Sequence, residues 1–315
     1  MHLCTLRKGC IGKVTDLPRA LVASEVLSHT IMLSTAAAAA TATAAGSSCP
    51  LTYADAVQGA RVALRHARTA AKAGDDGWTR LMVELPLLPP GGSLSDRLRP
   101  DSDALWPGGV TQRHRVAMRP LAEELLSGYG ATFQGTIDVG QMGVWSSQST
   151  SLTAVGFVAD LSFLPFAKLA RGEYGSAPTR PGHTLLLLNP RLTTAANIGQ
   201  PWERGLRREA RALLDEGGWR YIYAARALAQ PDGTHIGTLV STCTGAAGEL
   251  GGDAAPAGDA AGGGAEGDGA ARLCTSVCSV EGELVSCELT PATDLRAPFG
   301  RDGLAAARAA LASRL

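Results

Sequence analysis

Residues 183–190 read HTLLLLNP, and this stretch decides the expected fold. The four leucines show no alternation of apolar and polar positions, which is typical of a strand covered on both faces. Asn189 and Pro190 end the run, because proline lacks the N–H group that a further ladder hydrogen bond needs. The stretch therefore predicts a central strand of a sheet that carries helices on both sides.

Segments with helical and with strand-like patterns alternate around this strand. Apolar residues at steps of three and four predict a first helix over residues 53–71, with Thr52 and Asp55 as its capping box. Further helices are expected over residues 111–127, 161–172, 202–216 and 303–315, and Pro120 is expected to kink or break the first of these. Strands are expected over residues 80–88, 131–139, 152–159, 219–224 and 237–243.

Near the C-terminus, residues 273–289 read as two strands around a turn at Glu281 and Gly282. The alternation of helices and strands predicts an α/β fold. We expect a single open, mostly parallel sheet flanked by helices, with a C-terminal β-hairpin.

Two segments differ in composition from the rest of the chain. Residues 1–48 are rich in Ser, Thr and Ala and poor in acidic residues, which is typical of an organelle transit peptide; an extension without a targeting role is the alternative. Residues 245–270 consist mainly of Gly, Ala and Asp and cannot bury enough apolar surface to fold. We therefore expect one domain over residues 49–315, with a disordered insertion at 245–270.

The charge balance limits the classes of partner. The chain has 29 basic and 29 acidic residues, so its formal net charge is zero. A nucleic-acid partner would require a basic excess. The most apolar N-terminal stretch, residues 31–45, is mostly Ala and Thr and is shorter than the ~20 apolar residues that span a bilayer. We expect a protein without a nucleic-acid partner that is soluble or peripheral to a membrane.

The chain has seven cysteines, an odd number in a chain too long for a disulfide scaffold. Reduced thiols are the first expectation. Cys274 and Cys278 fall in one predicted strand, where we expect buried structural thiols, with a redox or metal role as the alternative. No phosphate-binding loop, nucleophile elbow or zinc-protease motif is present. We therefore assign no catalytic residue, metal or cofactor, and the chain is not expected to be an enzyme, although this is left open.

The strongest candidate for a ligand site follows the long loop over residues 89–109. Glycines there leave the backbone accessible, and the N–H groups at the start of the next helix attract anions. The alternative is a packed loop beside a solvated surface. The candidate residues are Trp106, Gly108, Gly109, Gln112, Arg113 and His114.

Two further sets of residues are candidates for binding. Asn189 lies at the end of a central strand, where α/β sheets place ligands, and either binds a ligand or stabilises the following turn. The first helix carries basic residues opposite its apolar face, and these either meet a partner or are solvated. The basic residues are Arg61, Arg65, Arg68 and Lys72.

Four short motifs occur in a recognisable order. MVELP at residues 82–86 follows the first helix, and WPGG at residues 106–109 precedes Gln112. The strand ending in Asn189-Pro190 is followed by a charged helix and by RYIY at residues 220–223. A hairpin and a terminal helix complete the order. The chain thereby resembles the domain-of-unknown-function 1995 family of plastid and cyanobacterial proteins.

The resemblance implies a chloroplast protein of the stroma or the thylakoid surface. Some members of that family are connected with photosystem II accumulation and assembly, and the family has no established catalytic residues. The resemblance therefore implies a non-enzymatic auxiliary factor in the assembly or maintenance of photosynthetic complexes, with photosystem assembly or thylakoid proteins as partners. The alternative is a protein or enzyme that binds a nucleotide or phosphate metabolite through residues 106–115.

Overall fold

The computed structural model describes residues 49–72, 79–138, 141–192, 195–200, 202–244, 272–291 and 299–312. They contain nine strands: β1 (Arg80–Glu84), β2 (Thr132–Ile137), β3 (Met142–Ser147), β4 (Leu152–Gly156), β5 (Thr184–Leu188), β6 (Arg220–Ala229), β7 (His235–Thr244), β8 (Arg272–Ser279) and β9 (Leu284–Pro291). All nine belong to one sheet in the order β2-β3-β4-β5-β1-β6-β7-β8-β9. The α/β fold with a single open sheet is confirmed.

The centre of the sheet is parallel. β4, β5, β1 and β6 run in the same direction, and all five residues of β5 are buried. The predicted central strand at residues 183–188 is thus confirmed. The expectation of a mostly parallel sheet holds only at this centre, because the other five neighbouring pairs are antiparallel. Short turns join most of these pairs, and a short turn can only connect antiparallel strands.

Strand β3 was not expected from the sequence. Its sequence, MGVWSS, contains the glycine and serines that are typical of turns. β3 nevertheless pairs with β2 on one side and β4 on the other, and Trp145 at its centre is fully buried. Pairing on both sides and the burial of one large side chain override the weak local preference.

Helices cover both faces of the sheet: α1 (Tyr53–Lys72), α2 (Gly109–Gln112), α3 (Arg119–Leu126), α4 (Phe163–Ala170), α5 (Arg204–Ala210) and α6 (Gly300–Ala312). α1 and α3 pack on one face and share a buried apolar cluster with Leu186 and Leu188 of β5. Buried residues of α4, α5 and α6 form a second cluster on the other face, with Leu185 and Leu187. The leucine run therefore supplies both cores, as period-two alternation along a strand requires.

Helix α1 forms where its apolar periodicity predicts. Tyr53, Val57 and Leu64 are almost fully buried. The expected capping box is present: the Thr52 N–H donates to Asp55 Oδ2 at 2.9 Å, and the Asp55 N–H donates to Thr52 Oγ1 at 3.1 Å. These bonds satisfy N–H groups that the start of a helix leaves without partners.

The helix that was expected to kink or break at Pro120 continues through this residue with a π-helical segment before it. The six residues Arg113–Met118 form a π-helix between α2 and α3, in which the N–H of Arg119 donates to the carbonyl of His114. Pro120 then occupies the first turn of α3, where its missing N–H is tolerated. The wider π-helical turn thus lets the helix continue past a residue that cannot donate to the preceding turn.

The C-terminal hairpin is confirmed by β8 and β9. The turn contains Glu281 and Gly282; Gly282 has a φ of 85°, and its N–H donates to the Ser279 carbonyl at 3.1 Å. The predicted terminal helix is confirmed as α6. The predicted transit peptide at 1–48 and insertion at 245–270 lie outside the described residues, and those interpretations stay predictions.

A disulfide corrects the expectation of reduced thiols. Cys49 and Cys278 are bonded, with Cα atoms 5.7 Å apart and a sequence separation of 229 residues. Cys278 is fully buried in β8, so the expectation of a buried residue is right but that of a structural thiol is wrong. The bond joins the segment before α1 to the antiparallel side of the sheet.

Candidate functional site

The carboxyl ends of β4, β5 and β1 lie at one edge of the sheet, which we call the carboxyl edge. Ligands of open α/β sheets bind at this edge, outside the strand ends. Residues 85–109 follow β1 there, and Asn189 follows β5. The predicted ligand-site residues Trp106, Gly108 and Gly109 therefore belong to the segment that leaves this edge after β1, and Asn189 to the segment that leaves it after β5.

Trp106 belongs to a charged cluster. Its side chain is buried, and its Nε1–H donates to Asp101 Oδ1 at 2.7 Å. The other oxygen of Asp101 lies 3.7 Å from Nη2 of Arg113 and 3.8 Å from Nη2 of Arg191. One carboxylate thus faces two guanidinium groups. Arg191 was not singled out from the sequence, although the structure places it beside Trp106 and Arg113 through their shared carboxylate.

Gly108 directly precedes α2, Gly109 is its first residue and Gln112 is its last. The Gln112 side chain accepts a hydrogen bond from the Gly108 N–H at 2.8 Å. Gly109 has a φ of 64°, a conformation that glycine adopts without steric penalty. The N–H of Gly108, which was considered as part of an anion site, is therefore already bonded within the protein.

His114 lies in an aromatic cluster and not at the surface. Its ring centroid is 6.0 Å from that of Phe133 and 5.8 Å from that of Trp145, and the side chain is buried. A Cβ atom at position 143 would overlap the imidazole, so Gly143 leaves the space that His114 fills. The buried Nε2 of His114 has no hydrogen-bond partner. His114 therefore packs as part of the core.

The burial of His114 predicts that stability falls in mild acid. Burial lowers the pKa of His114 below its usual value of 6.5, and the charges of Arg119 and Arg115 lower it further. As pH falls through ~6.5, His114 becomes protonated in the unfolded chain while it stays neutral in the folded protein. The free energy of unfolding therefore decreases as pH falls below ~6.5.

We expect Tm to fall between pH 7.5 and pH 5, measured by circular dichroism. His114→Phe keeps an aromatic ring without the titrating group and is expected to flatten this dependence. It will not remove it, because burial also lowers the pKa of His183 and of His235. Parallel curves for the variant and the wild type would contradict the prediction.

Asn189 bridges two central strands. Its Oδ1 accepts a hydrogen bond from the Leu85 N–H at 2.8 Å, and its Nδ2 donates to the Leu85 carbonyl at 2.7 Å. The side chain is buried, and the backbone is left-handed with a φ of 48°. Both ends of the amide join the chain after β5 to the chain after β1. The side chain is therefore occupied within the protein, but by Leu85 and not by the turn that follows Asn189, as the alternative interpretation expected.

The basic residues of α1 do not form one free surface. Arg61 donates to Glu124 Oε1 at 2.8 Å and to Ser127 Oγ at 3.1 Å, which ties α1 to α3. Arg68 donates to the Thr150 carbonyl and lies 5.3 Å from the ring centroid of Tyr129. Arg65 is exposed, and Lys72 is the last residue of α1. Two of the four candidate partner residues thus make contacts within the domain.

A small apolar cavity lies between the sheet and α5. Its volume is about 30 Å³, and its lining includes Met82, Leu187 and Trp219. Pockets for drug-sized ligands are on the order of 300–1,000 Å³. This cavity is too small for a nucleotide and lacks the charged groups that would bind a phosphate.

Exposed apolar side chains mark a surface that the sequence did not reveal. Leu161 is 97% exposed, Leu164 is 43% exposed and Trp202 is 76% exposed. The first two lie at the start of α4 and the third directly before α5. We call these three residues the apolar rim.

Both helices of the apolar rim begin on the side of the carboxyl edge. α4 follows β4 and α5 follows β5, and these strands are parallel neighbours. Arg171, at the end of α4, pairs with Glu209 near the end of α5, so the two helices pack against each other. A sequence signal existed, since residues 161–169 hold more apolar side chains than one helix face can bury.

Arg191 connects the apolar rim with the Trp106 cluster. It forms an isolated β-bridge with Ala159, two residues before Leu161, and its N–H donates to the Val158 carbonyl at 2.7 Å. About half of its side chain is exposed. The carboxyl edge therefore presents exposed apolar groups next to an exposed guanidinium.

Two further properties concern the part of the chain that the structure describes. No helix in it has the length and apolar character needed to cross a membrane. Nor does it contain three or more His, Cys, Asp or Glu side chains grouped so that they could hold a metal ion.

Comparison with known proteins yields no relative. The chain matches no family model, no curated protein and no solved structure.

Proposed function

We propose that this chain is a non-enzymatic plastid protein that binds protein partners during the assembly or maintenance of photosynthetic complexes, photosystem II among them. The observation that carries the binding role is the apolar rim. Large apolar side chains exposed on the same side of a folded domain are candidates for a site of interaction. The plastid role is supported by the composition of residues 1–48 and by the resemblance to the plastid family.

The charges beside the apolar rim define the partner. Arg191 and Arg204 are exposed there, whereas the carboxylate of the neighbouring Glu203 accepts the Gln200 N–H at 2.6 Å. Trp and Arg are the residue types that contribute most to protein interfaces. The partner surface is expected to present an apolar pocket for Trp202 with acidic side chains around it.

The contacts of the predicted polar residues support a binding role over catalysis. Trp106, Gln112 and Asn189 each use their polar side-chain groups within the domain. His114 is enclosed by aromatic rings. The alternative of a nucleotide or phosphate metabolite therefore receives support only from the two guanidinium groups of Arg113 and Arg191 near Asp101.

Variants of the apolar rim test the proposal. The full chain with a C-terminal tag is purified from gently solubilised plastids, as wild type and as the double variant Leu161→Ser, Trp202→Ser. We expect the wild type to recover photosystem or thylakoid assembly subunits, and the double variant to recover at least tenfold less. Loss of one interface tryptophan alone costs about 2 kcal/mol, or roughly 30-fold in Kd.

Tyr174 provides the matched control. It is 57% exposed and lies beyond the opposite end of α4, so Tyr174→Ser removes a comparable apolar group away from the apolar rim. This control is expected to recover subunits as the wild type does. Equal recovery by all three proteins would reject the apolar rim as the binding surface, and recovery of no photosynthetic subunit by the wild type would reject the assembly role.

A further inference from the structure

Two cysteines outside the disulfide lie in contact on neighbouring strands. Cys274 in β8 and Cys287 in β9 have their Sγ atoms 3.0 Å apart. In the strand register Cys274 faces Leu289, and Ser276 faces Cys287, so the two cysteines form a diagonal pair. Diagonal neighbours on one face are usually farther apart than directly opposed residues, but these two side chains point toward each other and their sulfur atoms are in contact. A sulfur–sulfur bond of about 2.05 Å requires only a small approach of the two atoms.

The position of the pair makes it accessible. β9 is the last strand of the sheet, and the Cys287 side chain is exposed, whereas Cys274 is half-buried. A small oxidant can therefore reach Cys287 from solvent, and the Sγ atom of the half-buried Cys274 is in contact with that of Cys287. This is the arrangement of an attacking thiol with a resolving thiol.

We propose that Cys274 and Cys287 are a redox modification site that closes to a second disulfide. The oxidant is a disulfide, either a low-molecular-weight one or that of a dithiol oxidoreductase. The Cys287 thiolate attacks one sulfur of the oxidant, which forms a mixed disulfide and releases the first thiolate. The Cys274 thiolate then attacks Cys287 Sγ and releases the second thiolate. The two cysteines lose two electrons and two protons, and the oxidant disulfide becomes two thiols.

Closure would join β9 covalently to β8. β8 already carries Cys278, which is bonded to Cys49 and fully buried. Because thiol–disulfide exchange depends on access to the sulfur atoms, a mild reductant opens the exposed pair before the buried one. The hairpin edge would thus change its covalent state with redox conditions, while the Cys49–Cys278 bond stays closed.

Titration of the full-length protein in glutathione buffers tests this proposal. The folded protein is equilibrated at pH 8 with reduced and oxidised glutathione in varied ratios, acid-quenched, alkylated and digested without reduction. Peptide mapping by mass spectrometry identifies each linkage, so a Cys274–Cys287 bond is distinguished from any bond formed by the cysteines before residue 49. We expect a reversible Cys274–Cys287 linkage, with a rise in Tm of about 5 °C on closure.

Variants distinguish a closing pair from simple thiol exposure. Cys274→Ser is expected to leave Cys287 as a stable mixed disulfide with glutathione, and Cys287→Ser is expected to abolish oxidation of Cys274. Cys243→Ser is the control, because burial raises the pKa of Cys243 to about 11 and keeps its thiol protonated. The proposal is overturned if wild-type Cys274 and Cys287 stay reduced in excess oxidised glutathione, or if Cys287 stops at the mixed disulfide while Cys274 is present.

Discussion

Replacement of Asn189 by alanine is expected to lower the free energy of unfolding by about 4 kcal/mol. The variant removes two hydrogen bonds and leaves the N–H and the carbonyl of Leu85 without their partner. Both groups lie at the junction of two central strands, where water does not readily replace an amide. Alanine must also adopt a φ of 48°, which is unfavourable for a residue with a Cβ atom.

Urea unfolding of the full chain, followed by tryptophan fluorescence, measures this effect. Asn189→Gly is the matched control, because glycine tolerates the left-handed backbone but makes no side-chain bonds. We expect the glycine variant to recover ~1 kcal/mol of the loss, which separates the backbone term from the hydrogen bonds. A loss below 1 kcal/mol for the alanine variant would show that the bridge to Leu85 is not important for stability.

Loss of the Cys49–Cys278 disulfide is expected to have the second large effect. Closing a loop of 229 residues restricts the unfolded chain, and the stabilisation from such a bond is about 2–5 kcal/mol. Opening the bond should lower Tm by roughly 5–15 °C. Cys49→Ser is preferred to a change at Cys278, because Cys278 is buried and its truncation would also disturb the core.

The measurement compares thermal unfolding with and without dithiothreitol. It is made in a Cys287→Ser background, so that the Cys274 and Cys287 pair contributes nothing. We expect the reductant to destabilise the protein that retains Cys49, and to leave the protein with Cys49→Ser unchanged. Equal Tm values for the two proteins under oxidising conditions would mean that the bond does not form or does not stabilise the fold.

The elements predicted correctly are those whose signal is local. The leucine run identified the central strand, and the spacing of Tyr53, Val57 and Leu64 identified α1 with its buried face. Such features depend on neighbours in sequence, which the sequence shows directly.

The features that were missed depend on contacts between segments of the chain. β3 is a strand because it pairs with β2 and β4 on its two sides, although its own residues favour a turn. Other missed features join residues that are far apart in the chain. The bond from Cys49 to Cys278 joins residues that no spacing rule relates. The contact of Arg61 with Glu124 was missed for the same reason, because the two residues are 63 positions apart in the chain.

The residues of the candidate site were also predicted only in part. Trp106 and Arg113 do lie together at the carboxyl edge, as their closeness in sequence allowed. Their partner Asp101 lies in the same loop, five residues before Trp106, but was not singled out. Arg191 could not be assigned, because its contact with Asp101 forms only when the chain after β5 meets the loop after β1. For the apolar rim, the surplus of apolar residues over 161–169 was a signal, but which of these side chains stay exposed is decided by packing and cannot be read from the sequence.

The Cys49–Cys278 bond also bears on how the protein is matured. Cys49 directly follows the predicted transit peptide, residues 1–48. A processing protease that cut on the C-terminal side of Cys49 would remove half of the bond and leave a lone thiol in the core of the sheet. If the leader is removed, only cleavage on the N-terminal side of Cys49 keeps the disulfide intact. Cys49 therefore marks the most C-terminal end that a removable leader can have without loss of this bond.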